Sequence, residues 1–201
     1  VIAHELHATQ APTWPAAGEH VLAQFDVDTI VVYQAYREST GRHAIAHGRL
    51  GGPDFSFARM SWIKPNFLWM MYRSGWGTKP GQEVTLGLRL RRAFFDGLLR
   101  DAVASSFDSA RHASREDWQR AVESSEVRLQ WDPDHAPDGA RLERRAVQLG
   151  LRGAALKALA STALVEVIDM SPFVAAQRAF ALAGAPWDGL RTPVEHPYPA
   201  G

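Results

Sequence analysis

At 201 residues, with 46% hydrophobic and 22% charged side chains, the chain has the size and composition of one globular domain with a sizeable core. Lys+Arg and Asp+Glu balance at 22 each, so no molecule-wide field steers it to nucleic acid. The absence of cysteine excludes disulfides, thiolate zinc sites and cysteine nucleophiles, and with no apolar run of membrane-spanning length and no signal-peptide pattern the sequence points to a cytoplasmic protein.

Residues 1–24 mix Pro12, Pro15 and Gly18 with polar side chains and read as a loosely ordered lead-in, before a single domain over residues 25–185. Thr29–Tyr36, rich in β-branched and aromatic residues, is the first predicted strand. Alternation sets Ile30, Val32, Gln34 and Tyr36 on one face and Val31, Tyr33 and Ala35 on the other. Both faces are largely apolar, so this strand belongs at the centre of a sheet. A short helix follows over 37–46. His43 and His47 lie one turn apart there, but nothing nearby completes a ligand set, and no metal is expected. The glycine-containing loop after it lacks the spacing of a phosphate-binding loop.

Met60 to Trp76, M-S-W-I-K-P-N-F-L-W-M-M-Y-R-S-G-W, is the most informative stretch. Pro65 ends the strand carrying Trp62 and Lys64, Asn66 is placed to cap a helix from Phe67, and Gly75 is placed to close it. A short helix apolar nearly all round is expected to be buried, and Arg73 within it then needs a partner, with Asp132 and Glu126 the candidates.

Further on, 83–90 alternates as a strand with Val84, Leu86, Leu88 and Leu90 inward. A helix is predicted over 92–104, and Ser114 with Asp117 opens another. Glu126 to Trp131 is a strand placing Glu126, Arg128 and Gln130 on its polar face, and Asp132 to His135 reads as a turn. Residues 145–151 are a strand pairing with it. The spacing of Leu156, Leu159, Ala163, Leu164 and Val167 predicts an amphipathic helix over 153–167. A last helix starts at Ser171-Pro172, and residues 186–201 read as a proline-rich tail.

The Met60–Trp76 stretch, with Gln130-Trp131-Asp132-Pro133-Asp134 and Val147-Gln148-Leu149-Gly150-Leu151, resembles the hallmark segments of a bacterial and fungal family, domain of unknown function 4291. Asn66 stands where that family usually has Ser, and Asp134 where it has Glu. Asn caps as Ser does; the shorter Asp134 weakens a catalytic reading of that position. The resemblance implies one domain over roughly Phe25 to Pro199. It brings no settled activity with it.

The element order is that of an α+β protein, a mixed sheet flanked by helices. It is similar in order to the ADP-ribosyltransferase-like split sheet, which implies an NAD site. On that reading Tyr33, Gln34, Tyr36, Lys64, Trp69, Tyr72 and Arg73 bind the cofactor, aromatic groups stacking the nicotinamide and cations holding the pyrophosphate. Gln130, Glu126 and Asp132 form the catalytic set that stabilises an oxocarbenium-like ribose. Two alternatives stand beside it. One is a non-catalytic nucleic-acid module in which Tyr33, Tyr36, Trp62 and Trp69 stack bases while Lys64, Arg73 and Arg89 take phosphates. The other is a structural or interaction protein whose aromatic stripe is simply core. The nucleotide reading requires Lys64, Arg73, Gln130 and Asp132 to share one neighbourhood.

Overall fold

The computed structural model describes residues 2–199. The first elements are β1 (His4–Leu6), α1 (His7–Gln10), β2 (Gly18–Glu19), β3 (Leu22–Ala23), β4 (Thr29–Tyr36), α2 (Glu38–His47), β5 (Ser61–Ile63) and α3 (Phe67–Ser74). They are followed by β6 (Val84–Arg91), α4 (Arg92–Asp101), β7 (Val103–Ala104), α5 (Arg115–Ser124), β8 (Val127–His135) and β9 (Arg141–Leu151). The chain finishes with α6 (Gly153–Ala160), β10 (Leu164–Asp169), α7 (Ser171–Leu182), β11 (Arg191–Pro193) and β12 (His196–Pro197). The class is α+β with mixed pairing, as the element order predicts.

Two sheets carry the fold. In one, β6 lies between β10 and β4, antiparallel to both. In the other the order is β2-β9-β8-β7, and β5 adds antiparallel to β9 further along the edge that β2 occupies. One bridge joins them: Tyr33 of β4 and Lys64, just past β5, exchange backbone hydrogen bonds of 2.7 and 3.1 Å. Beyond Tyr33 the strands part.

The alternation read from β4 decides which core each residue joins. Ile30 and Val32 pack with Leu86, Leu88, Leu90, Ile63, Val147, Leu149 and Leu151 under α4 and α6. Val31 and Tyr33 pack on the opposite side with Phe67, Leu68, Met70, Met71, Trp76 and Val174. Phe67 and Met71 of α3 are fully buried, worth roughly 2 kcal/mol each. The α3 ends follow the sequence: Asn66 accepts from the Trp69 N–H at 2.7 Å, and Gly75 adopts the left-handed conformation.

Three expectations are corrected. Leu164 and Val167 do not continue a helix. The chain turns at Ser161 and residues 164–169 become β10, because β-branched Val165, Val167 and Ile168 suit a strand and pairing with β6 overrides the helical spacing. Asp132 to His135 is not a turn; it prolongs β8 through a bulge between Pro133 and His135. The end segments are neither a loose lead-in nor a tail. β1 pairs with β11 and β3 with β12, and Trp14 donates to the Glu195 carbonyl at 2.8 Å.

Candidate functional site

Where β4 and β5 diverge, a cavity of about 470 Å³ opens, lined by Gln34, Tyr36, Arg59, Lys64, Arg73 and Gln148 among others. A second hollow of about 220 Å³ shares Tyr36, Arg59, Met60 and Ser61 with it and carries the cleft on to Arg37. The divergence is held open by side chains. Gln34 donates to the Ser61 hydroxyl at 2.8 Å and to the Trp62 carbonyl at 3.1 Å, standing in for the ladder bond that the strands no longer make. Its carbonyl accepts from the Tyr36 hydroxyl at 2.7 Å. Burial raises the Tyr36 phenol to about 12, so it stays a donor at neutral pH. Gln34 and Tyr36 therefore build the wall of the cleft.

Lys64 is the unusual member. Its place immediately after β5 turns its side chain into the cleft, where it is only 5% exposed. Among the described residues its ammonium has neither a hydrogen-bond acceptor nor an ion-pair partner; the Trp69 ring lies 6.0 Å away. Its pKa is lowered to about 8, chiefly by burial and then by the positive charge of Arg73, with Asp132 opposing the shift. Buried lysines are ordinarily paired. This one faces a cavity whose other charged lining groups are Arg59 and Arg73.

The adjoining wall is the polar face of the β8–β9 hairpin. Gln130 and Gln148 are cross-strand partners, and their amides donate to the two carboxylate oxygens of Asp132 at 2.9 and 2.8 Å. The would-be Cβ of Gly150 falls 2.9 Å from the Trp62 ring and 2.6 Å from the Met60 sulfur, so only glycine lets those side chains lie on this face. Lys64, Arg73, Asp132 and Gln130 thus share one neighbourhood, connected through Gln148.

Other candidates are placed elsewhere. Glu126 accepts from the Ala154 and Ala155 N–H groups at 2.9 and 3.0 Å, holding the first turn of α6 away from the cleft. Tyr33 is fully buried in the core against Phe67. Tyr72 is 43% exposed and stacks on His135, as does the buried Trp69; neither is among the cleft-lining residues, although the Trp69 ring lies 6.0 Å from the Lys64 ammonium. Arg73 is not a buried charge. It is exposed and, among the described residues, has no ion pair with Asp132 or Glu126; the internal-pair expectation fails because the last turn of α3 reaches solvent. Sequence reasoning missed Arg59 and Gln82 in the cavity wall, which sit in loops with no periodicity, and gave Gln148 no role. Gln148 was findable: it opposes Gln130 once the hairpin register is fixed.

Among the described residues no three metal-binding side chains gather as a metal site, and no helix is long and apolar enough to cross a membrane. None of the curated proteins compared with the chain matches it. The hallmark helix, the Gln130–Asp134 strand and the cleft between them all fall within residues 20–198, which match the model of Domain of unknown function (DUF4291), and the chain belongs to that family.

Proposed function

We propose that the cleft binds a nucleotide through its phosphates, with NAD the leading ligand, in an ADP-ribosyltransferase-like arrangement. The observation that supports this reading is Lys64, a nearly buried cation with no ion-pair partner among the described residues, in a cavity whose other charged lining groups are arginines. An anion fits that field, and a pyrophosphate can meet Arg59, Lys64 and Arg73 together. Loss of nicotinamide from NAD sends the C1′–N electron pair to the leaving ring and leaves positive charge on the ribose, and the oxygen of water or of an acceptor hydroxyl then bonds to C1′ and releases its proton to solvent. Asp132, held by two glutamine amides just behind the cleft-lining Gln148, is the nearby carboxylate whose charge would favour that cation. The nucleic-acid alternative needs open aromatic rings, and Tyr33 and Trp69 are consumed in packing.

Thermal unfolding with NAD and with ADP-ribose tests the reading. Both ligands raise Tm at millimolar concentrations, a stabilisation of about 2.7 kcal/mol at a hundred times Kd. Lys64→Met removes the response, and Asp132→Asn keeps NAD binding while abolishing nicotinamide release. The absence of any shift with either ligand in the unmodified protein would overturn the proposal.

A further inference from the structure

Lys64 brings an amine to the cleft as well as a charge. The chain has three lysines, Lys64, Lys79 and Lys157. Lys79 and Lys157 are exposed, as lysines ordinarily are. Lys64 is 5% exposed, and among the described residues its Nζ makes no hydrogen bond. It is nevertheless not one of the eight unpartnered side-chain atoms that are sealed from solvent. The nitrogen therefore keeps a small accessible face, and the cavity that Lys64 lines is where that face opens.

Two effects loosen the proton on that nitrogen: burial strips water from the ammonium, and Arg73 adds like charge. Asp132 opposes them, but its two oxygens are engaged by the Gln130 and Gln148 amides. A lysine desolvated beside another cation is a nucleophile near neutral pH, because its reactive form is the neutral amine. At pH 7 about a tenth of Lys64 is in that form. Among the described residues no donor occupies the lone pair. Arg59 and Arg73 line the same cavity, and among the described residues neither guanidinium has a hydrogen bond or an ion pair. Their donors are free for an anionic group carried on the molecule that the amine attacks. A volume of about 470 Å³ admits one ring with its phosphate.

We propose that the Lys64 amine forms an imine with a small phosphorylated aldehyde, whose phosphate sits on Arg59 and Arg73 while its carbonyl carbon meets Nζ. The ammonium first gives one proton to solvent. The nitrogen lone pair then bonds to the carbonyl carbon, and the C=O π pair moves to oxygen. The two protons left on nitrogen pass to that oxygen by way of solvent, the oxygen departs as water, and a C=N bond remains. Nothing is oxidised or reduced. This chemistry goes beyond nucleotide binding: it shares the two arginines with that reading and does not depend on NAD.

The test mixes the full chain with pyridoxal 5′-phosphate at pH 7, fixes any imine with borohydride, and locates the adducts by peptide mass spectrometry over time. Lys64 acquires the reduced adduct roughly tenfold or more faster than Lys79 and Lys157, against the order of their exposure. Pyridoxal, which lacks the phosphate, labels Lys64 roughly tenfold more slowly than its phosphate does. The double substitution Arg59→Leu with Arg73→Leu, at two exposed positions, brings the rate with the phosphate down to that of pyridoxal. Labelling of Lys79 or Lys157 before Lys64 would overturn the proposal. A Lys64 rate that ignores the phosphate, or one that ignores the two arginines, overturns it equally. NAD is absent from this assay, so a failure of NAD to bind leaves its result standing.

Discussion

With its ammonium desolvated, Lys64 holds its proton less tightly in the folded chain than in the unfolded one, at about 8 against an ordinary 10.5. Below pH 8 both states are charged and the folded protein bears the full penalty. Between about 8 and 10.5 the unfolded chain binds more protons, so stability rises with pH. The shift corresponds to about 3 kcal/mol. Lys64→Met is accordingly more stable than the unmodified protein by up to about 3 kcal/mol at pH 7, and that gain shrinks toward pH 10. Urea unfolding of both proteins at the two pH values checks it; a difference that ignores pH would show that Lys64 does not titrate as described. Arg73 behaves otherwise. Being exposed and without an ion pair among the described residues, it is expected to tolerate leucine within about 0.5 kcal/mol, while affinity for NAD falls by about tenfold or more. A marked loss of stability in Arg73→Leu would mean that the guanidinium has a structural partner.

Helix α3 shows which parts of an element are legible in sequence. Its start and stop were readable from Asn66 and Gly75, since capping is settled within a few residues of the chain. Glu195, the other group at its N-terminus, was not readable. Its carboxylate accepts from the Phe67 N–H at 2.7 Å across 128 positions of sequence, from a segment that composition marks as a tail. Burial, reinforced by the negative charge of Asp134, raises the Glu195 pKa well above the usual carboxylate value. The folded state therefore binds the extra proton. This contribution to stability is whole below about pH 4.5 and is lost as pH rises toward the raised pKa. Glu195→Gln preserves the acceptor for Phe67 without the titration, so its stability is flatter with pH and exceeds that of the unmodified protein in alkali. Glu195→Ala, leaving a buried N–H unpaired, costs about 1–3 kcal/mol. Chemical denaturation of the three proteins across pH separates these outcomes. β10 was illegible for a different reason: its apolar spacing is helical, and its pairing with β6 overrides that spacing.

For the molecule as a whole, balanced formal charge concealed a local field. Arg37 joins Arg59, Lys64 and Arg73 of the hallmark region at the cleft, a clustering that no sum over the sequence reveals. The two ends were misjudged because prolines and polar residues suggest disorder, whereas here Gln10 donates to Thr192 and Pro193 and Trp14 to Glu195. Deleting residues 186–201 removes β11, β12 and Glu195 together. The truncated chain is expected to lose cooperative unfolding, read by circular dichroism in urea, and a sharp transition close to that of the full chain would refute the structural role given to this segment. The bridge between Tyr33 and Lys64 has a consequence for motion. The backbone bridge between the two sheets is one pair of peptide groups, backed by the Gln34 and Tyr36 side chains on Ser61 and Trp62, and one of the two bridging residues is the lysine whose side chain faces the cleft. This seam closes the inner end of the cleft, over a core that both sheets share. A phosphate that engages the Lys64 ammonium would therefore bear directly on the residue that joins the sheets. Amide hydrogen exchange at Tyr33 and Lys64 slows with NAD bound, while the interior of the β4–β6 ladder exchanges as before.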